Sequence, residues 1–71
     1  MSLLVAATEI ILVTGERYRV DGSPKEVEGS ILAAARGSIM EFVWLTEVGS
    51  GNAVAVNPDH VAALRATEAE V

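Results

Sequence analysis

The sequence predicts an α+β fold: a small, strongly curved antiparallel sheet of four to five strands with one helix packed on it, in the order β-β-α-β-β-β. Three observations carry this. Short runs rich in β-branched and aliphatic residues are separated by glycine-containing turns. One stretch only, "SPKEVEGSILAAAR", carries a helix start signal and helical apolar spacing. The 71 residues allow a single domain, 1–71, without repeats or low-complexity linkers.

Within the first run, "TEIILVT" (8–14) places apolar residues at successive positions, the pattern of a strand covered on both faces. Gly15-Glu16 reads as a two-residue Gly-X turn. In "RYRV" the side chains of Tyr18 and Val20 are expected on one face and those of Arg17 and Arg19 on the other. Asp21-Gly22 then breaks the strand. Ser23 is an N-cap, Pro24 suits the first helical position, and Glu26 completes the capping-box spacing. A helix is expected near 24–36, with Val27, Ile31, Ala34 and Ala35 on its inner stripe. Gly29 weakens it by about 1 kcal/mol relative to alanine. Arg36 suits the last turn and Gly37 the residue after it.

A strand is expected over 39–48, apolar on both faces: Met40, Phe42 and Trp44 on one, Ile39, Val43 and Leu45 on the other. A single helix covers one face of a small sheet, so the second face calls for another layer. "GSGN" (49–52) is a hairpin loop and "AVAVN" the returning strand. Asn57-Pro58-Asp59 forms a turn: asparagine opens it, proline sets φ at its second position, and aspartate suits the third. Residues 60–66 fit either a last strand or a short helix, and 67–71 form an acidic tail expected to fray.

Composition narrows the function classes. A domain of this size buries only about 60% of its unfolded surface. Small domains of this kind are held by disulfides, metals or partner subunits. The chain has no cysteine and one histidine, which excludes disulfides, thiolate metal sites and a multi-histidine site within one chain. Yet 51% of residues are apolar, and the mean hydropathy is +0.39. Association of copies is the remaining means of burying that surface, so a homo-oligomer is expected. The net charge of −5 and the scattered Arg17, Arg19, Lys25, Arg36 and Arg65 argue against nucleic acid as the partner. "LLVAATEIILV" is interrupted by Glu9 and has no basic residue before it. A strand is therefore expected there rather than a leader or membrane span, and the absence of cysteine fits a reducing cytoplasm, the location expected.

No residue pattern calls for a catalytic, cofactor-binding or metal-binding role. Asp59-His60 could be read as a carboxylate-oriented general base, but neighbours on a strand face opposite ways. The two glycines of "VTGERYRVDGS" miss the spacing of phosphate-binding loops, and the P-loop lysine is absent. Glu41 and Glu47 are expected at a rim, or paired with Arg17, Arg19 or Arg65 across a sheet. Ile39, Met40, Phe42, Val43, Trp44 and Leu45 are the interface candidates. The Met40–Phe42–Trp44 stripe reads first as a core face and second as an interaction surface, since tryptophan is enriched at interface hot spots.

At "AVAVNPDHVAALRATE", Val56, Asn57, Pro58 and Asp59 match a V-N-P-D motif, and the segment resembles the small bacterial FlbD/SwrD flagellar proteins. The order is permuted: the hairpin-and-helix piece that follows the motif in that family, comparable to "ILVTGERYRVDGSPKEVEGSI", precedes it here. The resemblance covers about a third of the chain and implies a small non-enzymatic accessory protein of the cytoplasm.

The leading expectation is therefore a non-enzymatic, homo-oligomeric interaction protein of accessory, phage-adaptor or structural type. The alternative is a barrel-like module binding nucleic acid or a ligand through Arg17, Arg19 and Arg65 beside Tyr18 or Trp44. A third reading, an active site assembled between subunits around His60, rests on that residue alone.

Overall fold

The structure, a computed structural model, describes residues 3–36 and 41–70. Strands β1 (Leu4–Leu12) and β2 (Arg17–Asp21) precede helix α1 (Pro24–Ala35). Strands β3 (Val43–Thr46) and β4 (Ala53–Val56) follow, and a short 3₁₀ turn (Pro58–His60) leads into β5 (Val61–Glu70). The α+β class, the chain order and the antiparallel pairing are as the sequence predicts. The single sheet is not. Strands β2, β1 and β5 form a three-stranded sheet with β1 central, and β3 and β4 form a separate hairpin.

The two sheets meet at the isolated bridge Val20–Glu47 and a Val48 N–H bond to the Arg19 carbonyl at 2.8 Å. Gly22, at φ +102°, turns the chain away one residue after β2 ends. That leaves β2 too short to extend a full ladder to β3. Opposite this junction, the His60 carbonyl accepts from the Val13 N–H at 2.8 Å, tying the 3₁₀ turn to the β1–β2 loop.

That loop also departs from the expected Gly15-Glu16 turn. The Gly15 N–H bonds the Leu12 carbonyl and the Leu12 N–H bonds the Glu16 carbonyl, both at 2.9 Å. Gly15 has φ +94°, so the loop is Val13-Thr14-Gly15, a turn followed by a left-handed glycine bulge. The glycine is the loop's last residue rather than its first because only there does the backbone need positive φ.

Helix α1 starts as its capping residues dictate. The Glu26 N–H donates to Ser23 Oγ at 3.3 Å, with Pro24 in the first turn. The Glu26 carboxylate answers to the Ser23 hydroxyl at 3.2 Å, not to its backbone N–H. The helix ends one residue short of the predicted limit, with Arg36 as C-cap. Val27 is buried, Ile31 and Ala34 are half-buried, and Ala35, expected inside, is exposed.

The core is the contact between α1 and one face of the three-stranded sheet. Ile10, Val20 and Val27 are buried together, with Leu12, Tyr18, Ile31, Leu45, Val61 and Leu64 packed around them. Register explains the selection. Tyr18 and Leu64 lie opposite Ile10, and Val20 lies opposite Thr8, all on one face of β1. Thr8 joins this interior by donating its hydroxyl to the Gly22 carbonyl at 2.9 Å.

The C-terminal expectations are also revised. Of residues 60–66, which fit either a strand or a short helix, 61–66 are strand and His60 closes the 3₁₀ turn. Residues 67–70, expected to fray, pair with β1: Thr67 with Ala7, Glu68 with Ala6, Ala69 with Val5 and Glu70 with Leu4. Ala69 is buried. An acidic segment stays ordered here because backbone hydrogen bonds to β1 hold it while its carboxylates point to solvent. Residue 71 lies outside the described residues.

Candidate interaction surface

The strand expected over 39–48 is only four residues long, Val43–Thr46. Ile39 and Met40 lie outside the described residues. Within β3, Val43 is buried and Leu45 half-buried, so the alternation turns Trp44 outward. Trp44 is 69% exposed, and Phe42, just ahead of the strand, is 57% exposed. For these two aromatics the core-face reading is overturned. The inner face of this hairpin is filled by Val43, Leu45 and their partners Val56 and Val54, and a four-residue strand offers no second interior. Trp44 sits opposite Ala55, with Thr46 opposite Ala53. Both alanines are exposed, so the indole has only small neighbours across the ladder.

A second feature lies on the three-stranded sheet, on the face opposite α1. Glu9 of β1 stands in register with Arg19 on β2 and Arg65 on β5. Arg17, opposite Ile11, shares this face. Arg65 Nη1 is 3.7 Å from Glu9 Oε1, and that oxygen is buried without a hydrogen bond. The Arg19 guanidinium donates to the Glu68 carbonyl, crossing β1 to reach β5. The predicted pairing of an acid with these arginines thus falls to Glu9, the residue that interrupts the apolar run. It does not fall to Glu41, which is exposed, or to Glu47, whose carboxylate accepts from Ser50 Oγ at 2.6 Å.

The arginines named for a nucleic-acid or ligand site therefore do converge on one face. The aromatics named with them do not join them: Tyr18 is on the core face and Trp44 on the other hairpin. The Tyr18 hydroxyl donates to the Glu16 carboxylate at 2.9 Å. This bond, reinforced by the charge of Glu16, holds the phenol above its ordinary pKa.

Asn57, Pro58, Asp59 and His60 form the 3₁₀ turn. Asn57 Oδ1 accepts from the Asp59 N–H at 2.9 Å, and the Asn57 carbonyl accepts from the His60 N–H at 3.0 Å. Asp59 and His60 are exposed. The contribution of His60 to the fold is made by its backbone, through the bonds to Asn57 and Val13. Among the described residues, no three His, Asp or Glu side chains are grouped closely enough to hold a metal ion. No described helix is long and apolar enough to cross a membrane.

No family model matches the chain, and no curated protein or solved structure matches it.

Proposed function

We propose that the chain is a non-enzymatic, homo-oligomeric protein–protein interaction module of accessory, adaptor or structural type, acting in the cytoplasm. The observation that supports it best is the outward Trp44, exposed on a face otherwise made of alanines and a threonine, with Phe42 also exposed two residues before it. Large aromatics supply much of the energy at protein interfaces, and exposing two of a chain's three costs solubility unless a partner covers them. The weak, permuted likeness of Val56–Asp59 to the FlbD/SwrD proteins points the same way, toward a small accessory protein.

Light scattering behind a sizing column tests the oligomer. At tens of micromolar the mass should be a multiple of 7.4 kDa, and a clean monomer ends this reading. Trp44 is the sole tryptophan, so its emission reports directly on a partner: a blue shift on mixing marks the indole leaving water.

The nucleic-acid alternative draws support from the shared face of Arg17, Arg19 and Arg65. Glu9 stands between two of these arginines, which lowers the potential offered to phosphates. A salt-dependent mobility shift with single-stranded RNA favours this alternative, and no shift at low salt removes it.

A further inference from the structure

We infer that the N-terminal edge of β1, residues Leu3–Ala6, is a strand-addition site occupied by the same segment of a second copy, antiparallel across a two-fold axis. This deepens the homo-oligomer reading and rests on it. Strand β2 ends at Asp21, opposite Ala7, whereas β5 continues to Glu70, opposite Leu4. Beyond Ala7 the β1–β5 ladder is therefore a two-stranded arm, part of a molecule 45 Å long and about half as wide. On the β2 side of this arm, Leu4, Val5 and Ala6 have no strand neighbour among the described residues. An isolated pair of strands is marginal in water, and a third strand is needed for stability.

The segment is apolar, uncharged and rich in side chains left in water. Leu3 is 65%, Leu4 63% and Val5 42% exposed. Exposed edges in natural sheets are guarded by charge, and β5 follows that rule with Arg65, Glu68 and Glu70. The β4 edge is uncharged, but its outward side chains are alanines and its valines already face inward, so pairing there covers little. The outer edge of β3 carries the exposed Trp44 but lies against β2 at the Val20–Glu47 bridge; among the described residues, the β1 edge combines three consecutive large uncovered side chains with no neighbouring strand.

Surface area supports a second copy as the occupant. A folded monomer of 7.4 kDa exposes about 4,200 Å² by the scaling of compact proteins. This chain exposes 4802 Å². The excess of about 600 Å² approaches the roughly 800 Å² that each partner contributes to a standard interface. Self-pairing centred on Leu4 sets Leu4 against Leu4 of the second copy and Leu3 against its Val5. No charged residue then opposes its own kind on the new ladder, and a four-stranded arm, β5-β1-β1-β5, results. Glu68 and Glu70 of the two copies stand on the outer strands, three strand spacings or about 14 Å apart, beyond a Debye length at physiological salt, so association should depend little on salt.

The test uses the full chain. Leu4→Lys places two lysines directly opposite each other, and because Leu4 lies outside the core the fold should hold, as circular dichroism checks. By light scattering, the dissociation constant should rise at least ten-fold for Leu4→Lys and stay within two-fold for Glu28→Ala on the exposed face of α1. The native chain has no cysteine, so Leu4→Cys gives an independent readout: it should oxidise to a covalent dimer, and an Ala53→Cys control should not. An oligomer that survives Leu4→Lys, with Leu4→Cys failing to cross-link, overturns the arm contact and leaves the homo-oligomer reading standing. A monomeric wild-type chain overturns both.

Discussion

Thr8 shows how a single hydroxyl can decide a turn. It is fully buried, and its Oγ1 donates to the carbonyl of Gly22, where the chain leaves β2 for the helix. Nothing in "TEIILVT" marks this threonine as different from one that faces water, because the partner is fourteen residues away. Thr8→Val keeps the shape and removes the bond, so it should lower stability by about 1 to 2 kcal/mol in a denaturant titration. Tyr18 gives a sharper test at the same scale. Its pKa is raised by the bond to Glu16, so the phenol stays protonated above its ordinary range. The small stabilisation from that bond is present below the unfolded-state pKa of about 10 and disappears as pH rises through the folded value. As Tyr18 is the only tyrosine, absorbance titration of Glu16→Gln should show its pKa falling toward the ordinary value; an unchanged curve would separate the shift from Glu16.

Among the elements, the helix was the most legible. Its start is set by Ser23, Pro24 and Glu26, residues whose interactions are local, and local interactions are what a sequence displays. Ser23→Ala should cost about 1 kcal/mol, read as a lower denaturation midpoint with an unchanged slope. The 3₁₀ turn was nearly as legible, for the same reason: Asn57 caps it through its own side chain. The strands were less so. Apolar content on both faces suggested a ten-residue strand over 39–48, whereas β3 is confined to 43–46, and which of its faces points inward is set by contact with Leu45, Val54 and Val56 rather than by composition. The tail over 67–70 is acidic, which suggests solvation, but its order comes from pairing with residues sixty or more positions earlier.

At the scale of the whole molecule, the described interior is small. Ile10, Val20 and Val27 form its buried centre, and a chain of 71 residues has about 4 to 10 kcal/mol of stability in total. Ile10→Ala should remove about 2 to 5 kcal/mol of that. Equilibrium unfolding should therefore find the variant with about half the stability of the wild type. If copies associate through folded surfaces only, the melting temperature of the wild type should also rise with protein concentration; a concentration-independent melt would count against association.

By itself, the sequence determined the α+β class, the single helix with its start, the glycine loop over 49–52, the turn at Asn57–Asp59, and the mismatch between apolar content and chain length. These follow from composition and from interactions within a few residues. Only the tertiary structure decided that the strands divide three and two, that Trp44 faces outward, that Glu9 rather than Glu41 or Glu47 meets an arginine, and that β1 outruns β2, leaving an edge with no strand beside it among the described residues. Each of these depends on register between distant strands, and a shift of one residue in register exchanges the two faces of a strand. Periodicity shows that a strand has two faces; only its neighbours determine which one is covered.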